Sequence, residues 1–185
     1  MSPYQLHVQN WKDCTRCGLC DGRLKVVLAR GKVPCDVLFV GEAPGESENV
    51  IGQPFVGPAG KLLDSIIVRA IIGHNVTYAL TNLVACIPRD DSGTKTSEPD
   101  SEAIKACAPR LVEFIKLCNP ELIVRVGKLA QDYLTPGYKH SIKLEREYKF
   151  ADITHPAAII RANVAQQTMA IQRCVVTIAN AVKNL

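Results

Sequence analysis

Four short apolar runs recur along the chain, and each is separated from the next by a segment of helical periodicity. No other feature limits the possible folds as much. Residues 36–40 (DVLFV), residues 77–85 (TYALTNLVA), ELIVRVG and KFADITH read as strands. Between and after them, residues 58–72 place Leu62, Leu63, Ile66 and Ile67 on one helical face, and residues 101–117, 128–134 and 163–184 read as further helices. Strands alternating with helices imply a parallel sheet covered on both faces. The expected fold is therefore α/β, a three-layer α/β/α sandwich around a central, mostly parallel four-stranded sheet. A length of 185 residues with no internal repeat or linker fits one domain over residues 1–185.

Parallel sheets bind ligands beyond the carboxyl ends of their strands. Those ends carry Gly41 and Glu42, Asn82, Gly127, and His155 with Pro156. A carboxylate, an amide and an imidazole thus converge on one rim. The net charge of +4 is compatible with a nucleic-acid partner without requiring one. No stretch approaches the roughly 18 apolar residues that span a bilayer, and MSPYQLHVQNWKDC has no apolar signal core. The expectation is a cytoplasmic protein with no targeting segment and no membrane partner. In a reducing compartment, its eight cysteines favour metal binding or catalysis over disulfides.

Between the first strand and the first long helix lies VGEAPGESENVIGQPFVGPAGKLL, with five glycines, three prolines and three glutamates. Glycines let a backbone turn tightly and approach a ligand closely. A phosphate loop is excluded by detail: GEAPGESE is neither G-x-G-x-x-G nor a Walker A sequence, lacks the lysine, and carries carboxylates that repel phosphate. Backbone donors combined with carboxylates suit a neutral, flat ligand and an activated water.

The segments VGEAPGESE, GQPFVGPAGKLLD, TNLVAC and THPAAIIR occur in this order over nearly the whole chain. In sequence and spacing they resemble the motifs of the family 4 uracil-DNA glycosylases, the iron-sulfur-containing branch of the uracil-DNA glycosylase superfamily. The first motif is highly specific, HPAA moderately so. The resemblance implies hydrolysis of the bond between uracil and deoxyribose in DNA, single- or double-stranded, by a protein acting as a monomer.

It also implies a [4Fe-4S] cluster held by Cys14, Cys17, Cys86 and Cys107. Four thiolates can equally hold Zn²⁺, which the resemblance makes the lesser choice. Cys20 offers a third thiol in CTRCGLC and competes with the distant ligands, while Cys35, Cys118 and Cys174 lie on apolar or helical stretches as small core residues. The 20 residues between Cys86 and Cys107 exceed the family's usual gap and imply an enlarged loop. The expected role of the cluster is architectural.

For the base site the resemblance implies Gly41, Ala43, Phe55, Asn82 and His155. A glycosylase must take its base out of the stack. Phe55 would be the platform under the flipped base, or else a core phenylalanine. Asn82 would read the uracil edge, its amide offering both a donor and an acceptor. His155 would stabilise charge developing on uracil O2 as the bond breaks. Glu42 and Glu48 are the candidates for positioning water and favouring a cationic sugar, with Glu46 solvated. Ala43 stands where the best-known branch of the superfamily carries a water-activating aspartate. Ile159, Ile160 and Arg161 would enter the minor groove as wedge and anchor, and Lys61 would hold a phosphate.

Two departures stand out. Ala85 and Ile87 replace basic residues common in the family, leaving Arg89 and Lys95 of the longer loop as compensating charges. The loop also lacks the basic, histidine-bearing insertion of relatives that trap uracil DNA covalently. A catalytically silent or covalently trapping DNA-binding relative is the alternative function. Joint presence of Glu42, Phe55, Asn82 and His155 argues against the silent form.

Overall fold

The computed structural model of the protein describes residues 1–90, 92–183 and 185. Asp91 in the expected loop and Asn184, the expected end of the last helix, lie outside the described residues. The five strands are β1 (Arg30–Gly31), β2 (Val37–Gly41), β3 (Tyr78–Asn82), β4 (Leu122–Val126) and β5 (Lys149–Ile153), in the spatial order β1-β3-β2-β4-β5. β2 to β5 are mutually parallel, and β1 runs antiparallel to β3. The expected sheet of four strands is thus corrected to five. β1 spans only two residues, too few to show any period in the sequence.

β2 is the central strand, and its side chains alternate between two cores as the pleat requires. Val37 and Phe39 pack with Leu63, Ile66 and Ile67 of α3 (Pro58–Ile71) and with Cys174 and Ile178 of α7 (Val164–Val182). Leu38 and Val40 pack on the other face with Leu111 and Phe114 of α4 (Ser101–Cys118), beside α5 (Lys128–Leu134). The chain passes from β2 to β3 through α3, then crosses behind β2 to β4 through α4. That reversal puts a crevice at the carboxyl ends of the central strands.

Three short helices complete the architecture. α1 (Pro3–Trp11) opens on a capping box, Gln5 N–H donating to Ser2 Oγ at 3.2 Å and Ser2 N–H donating back to Gln5 Oε1 at 2.7 Å. α2 (Glu46–Ile51) lies inside the Gly/Pro loop, and α6 (Pro156–Arg161) is divided from α7 by the cap residue Asn163. The strand expected over 77–85 ends at Asn82. Its apolar pattern continues because Leu83, Val84, Ala85 and Ile87 stay buried after leaving the sheet.

Candidate active site

Glu42 follows β2, Asn82 ends β3, and His155 stands two residues beyond β5, so the topology gathers them at one end of the sheet. Together with Ala43, Glu48, Phe55 and Arg161 they line a cleft of about 440 Å³. Pairing in register sets Gly41 beside Asn82. A Cβ on Gly41 would fall 2.4 Å from Phe55 Cζ and 2.5 Å from Asn82 Oδ1, so a side chain there would displace both. Glycine at this position is what lets an aromatic ring and an amide share the floor.

Phe55 is held rather than merely packed. Its backbone has a φ of 57°, a left-handed conformation costly for a bulky residue. Three contacts enforce it. Arg30 Nε donates to Pro54 O at 2.7 Å and Nη2 to Phe55 O at 3.0 Å, while Nη2 also donates to Asp64 Oδ1 at 2.6 Å. Glu48 Oε1 accepts the N–H groups of Val56 and Gly57, both at 2.8 Å, and Oε2 accepts that of Gly45 at 3.1 Å. Gly60 lies so close that a Cβ would fall 1.9 Å from the Phe55 carbonyl oxygen. Glu48 therefore clasps the two ends of the α2 loop, both its oxygens engaged by backbone donors.

Asn82 is buried, and its Oδ1 has no hydrogen-bond partner among the described residues. A buried acceptor left unpaired costs about 1–3 kcal/mol, so this oxygen is available to a donor that enters the cleft. His155 caps α6, its Nδ1 accepting the Ala157 N–H at 3.2 Å. That assigns the ring proton to Nε2. Burial and then the Arg161 guanidinium hold the imidazole below its ordinary range, so it is neutral and a donor. Glu42 moves the other way: burial and then the Glu98 carboxylate raise it above the ordinary carboxylate range. Glu46 is exposed and pairs with Arg89, whose Nη2 donates to Oε2 at 3.0 Å.

The expected DNA contacts separate. Ile159 is 1% exposed and belongs to the core, whereas Ile160 is 42% exposed at the end of α6. Arg161 is exposed at the lip of the cleft, and Lys61 is exposed in the first turn of α3. The side chains of Ala85 and Ile87 are buried, so the basic residues absent there would have had no route to solvent without rearrangement. Arg89 is committed to Glu46, while Lys95 remains exposed.

The eight cysteines divide into a set of four, a set of three and Cys20. Cys14, Cys17, Cys86 and Cys107 line a single enclosed cavity beneath α1 and α4. Cys20 is not among its lining residues; it ends a short 3₁₀ turn and donates to Asp21 Oδ1 at 3.3 Å. Cys35, Cys118 and Cys174 are buried in the two cores, as expected. Three residues were not singled out from the sequence. Arg30 clamps the Phe55 loop from the strand too short to detect, and Glu98 reaches the cleft from an irregular loop without a motif. Arg110 did leave a signal, a charge seven residues from Ala103 and four from Phe114 on the buried stripe of α4.

A family model described as the Uracil DNA glycosylase superfamily matches residues 29–177. The chain belongs to that superfamily. The matched region contains every cleft residue named above, together with Cys86 and Cys107, while Cys14 and Cys17 precede it. Within the superfamily, the chain is 34% identical over 134 residues to the "Type-4 uracil-DNA glycosylase" of Saccharolobus solfataricus, a match covering 72% of this chain and 59% of that one. It is 37% identical over 131 residues to the protein of the same name from Thermotoga maritima, 71% of this chain and 65% of the relative. A third such protein, from Archaeoglobus fulgidus, is 28% identical over 167 residues, 83% and 81% of the two chains. The match to the first two spans less than two thirds of their lengths. Among the described residues, no helix is long and apolar enough to cross a membrane.

Proposed function

We propose that this protein removes uracil from single- or double-stranded DNA by hydrolysing its N-glycosidic bond and leaving an abasic site. The observation that carries the reading is the unpartnered Asn82 Oδ1, buried beside the Phe55 ring in the cleft of a superfamily member. Uracil presents a donor at N3–H and an acceptor at O4. An amide matches that pair, and cytosine offers the opposite pattern, so Asn82 discriminates between them. Phe55, fixed by Arg30 and Glu48, supplies the stacking face for the flipped base.

As the bond lengthens, the base gains negative charge at O2 and the sugar becomes oxocarbenium-like. The neutral His155 donates from Nε2 to that oxygen, an oxyanion-type stabilisation needing no proton transfer. Glu42 holds the attacking water and, with Glu98, places negative charge near the cationic sugar. Glu48 supports the site through the loop, since its oxygens are already engaged. Arg161, Lys61 and exposed Ile160 meet the DNA, with Ile160 filling the space of the flipped nucleotide.

The four cavity cysteines suit a [4Fe-4S] cluster. A single Zn²⁺ would draw its thiolates to about 2.3 Å from one point. Cys14, Cys17, Cys86 and Cys107 line one cavity, a four-thiol set that can hold either group, and the likeness to the type-4 relatives favours the cluster. Held by Cys14, Cys17, Cys86 and Cys107, a cluster would cross-link the N-terminal arm, the segment after β3, and α4.

The test is uracil release from an oligonucleotide carrying one deoxyuridine, for the wild type beside His155→Ala. Release by the wild type, with the variant slower by about 10²–10³-fold, is expected. No release from wild-type protein carrying iron would overturn the reading in favour of a silent DNA-binding relative.

A further inference from the structure

Arg110 lies one turn beyond Cys107 in α4 and is 1% exposed. Its side chain reaches the end of β3, where Nη1 donates to Thr81 Oγ1 at 2.8 Å. Nη2 donates to the carbonyl oxygens of Asn82 at 2.6 Å and Leu83 at 2.9 Å. Thr81 Oγ1 donates in turn to Leu28 O at 2.7 Å. All these acceptors are neutral. Among the described residues, Arg110 forms no ion pair, and its Nε is buried without a partner.

A guanidinium keeps its proton under all ordinary conditions. Buried this deeply, it calls for a negative group close by, and removing one partner of such a pair is strongly destabilising. The same side chain lines the cavity ringed by Cys14, Cys17, Cys86 and Cys107. Arg16 and Arg23 lie on that wall too, Arg23 Nη1 standing 3.7 Å from Cys86 Sγ. A cavity with four thiols and three arginines, none of them in an ion pair among the described residues and one with an orphan N–H, is built for an anionic occupant. A thiolate-held cluster is anionic.

We propose that Arg110 is a positioning residue that couples the two sites: the cluster balances its charge, and its guanidinium fixes the main chain of Asn82. This rests on the readings of the cleft and the cysteine cavity given above. The cluster then governs base recognition without touching DNA or exchanging electrons with it. Loss of the cluster leaves Arg110 unbalanced, and the end of β3 loses its anchor where the strand leaves the sheet. Asn82 reads the base only while its carbonyl is held.

The test compares Arg110→Met and Arg110→Lys with the wild type, each assayed for bound iron and sulfide, cluster reduction potential, and inhibition of uracil release by free uracil. For a cluster-loaded Arg110→Met, we expect a more negative potential, because a cation has left the cluster's surroundings. Free uracil should inhibit it about tenfold more weakly, the scale of losing charged hydrogen bonds. Arg110→Lys should keep the potential yet still weaken uracil inhibition, because a point charge cannot bridge three acceptors. If Arg110→Met fails to load or fold, Arg110→Lys decides: weakened inhibition supports the coupling, and wild-type inhibition overturns it. An active, iron-loaded wild type whose variants match it in potential and inhibition overturns the coupling alone. A wild type without iron, or with iron and no uracil release, overturns the coupling together with the corresponding earlier reading.

Discussion

In the cleft, each organising group has its partners within the chain: Glu48 takes three backbone N–H groups, Arg30 two carbonyls and a carboxylate, and His155 the first turn of α6. In the cysteine cavity, which Arg110 links to the end of β3, that arginine keeps a buried N–H unpaired, and four cysteines line the same small space. Among the described residues, Asn82 Oδ1 is the one buried side-chain atom of the cleft without a partner, and His155 Nε2 and the Glu42 carboxylate face the same space. The cavity, by contrast, carries an uncompensated guanidinium charge. One region is preorganised by the chain, which suits a site that must meet a transition state without rearranging. The other would be organised by the proposed cluster, which suits a cross-link.

The first way to break this comparison is to remove the cleft's open groups. Asn82→Ala and His155→Ala should each slow uracil release by about 10²–10³-fold while leaving iron content and melting temperature near wild type. A large loss of stability in either variant would mean that the cleft is not self-supporting. Cys86→Ser attacks the other region and should invert the pattern. Bound iron should be lost and the melting temperature should fall, with uracil release declining as a consequence.

Within the cleft, the carboxylates sharpen the distinction between support and chemistry. Glu48→Ala strands three backbone donors in part-buried positions and should destabilise the protein by about 1–3 kcal/mol in denaturant titration. Glu42→Gln leaves those contacts intact, so it should reduce uracil release with little change in stability. Equal stability loss in both would erase the division of labour.

How far the sequence reveals these two regions follows from where their information resides. β2, buried at every position, is legible as a continuous apolar run, and β3 to β5 as short, mostly apolar runs between helical segments. β1 is not, since two residues have no period, and Arg30 was lost with it. The glycines of the opening loop signal close approach, but they do not say which carboxylate is already engaged. Glu48's partners Val56 and Gly57 lie eight and nine residues away, beyond a helix that the glycines and prolines obscure. Cys20 and Cys17 have the same two-residue spacing to a neighbouring cysteine, and only the 3₁₀ turn turns one thiol toward Asp21.

A smaller effect concerns pH. Glu42 is raised by burial and then by Glu98, and the cleft also presents Glu48, His155 and Arg161. A raised carboxylate binds its proton more readily folded than unfolded, so its contribution favours the folded state at low pH and is lost as pH rises through the folded value. Activity runs the opposite way, since the ionised form is the one that holds water. Uracil release should therefore increase with pH through a range above that of an ordinary glutamate. Glu98→Gln should move this acid limb to lower pH. His155 is lowered from an ordinary value of 6.5, so it stays neutral as the pH falls past that value. Its stability contribution is present above 6.5 and is lost as the pH drops through the depressed folded value. A limb that does not move in Glu98→Gln would assign the raised carboxylate to burial alone.

The smallest expected effect is the most discriminating for the cavity. Cys20 has the same spacing from Cys17 that Cys17 has from Cys14, so sequence alone leaves three N-terminal thiols for two places. In the structure its sulfur donates to the neighbouring Asp21 and is absent from the cavity wall. Recruiting it would require the 3₁₀ turn to unwind and the Asp21 hydrogen bond to break, while Cys107 already faces the cavity from α4. Cys20→Ser preserves a donor to Asp21 and should leave iron per chain, melting temperature and uracil release unchanged. Loss of iron in this variant, with retention in Cys107→Ser, would exchange the two ligands. The cross-link would then close within the N-terminal arm and the segment after β3, and α4 with its Arg110 would no longer be tied to the occupant of the cavity.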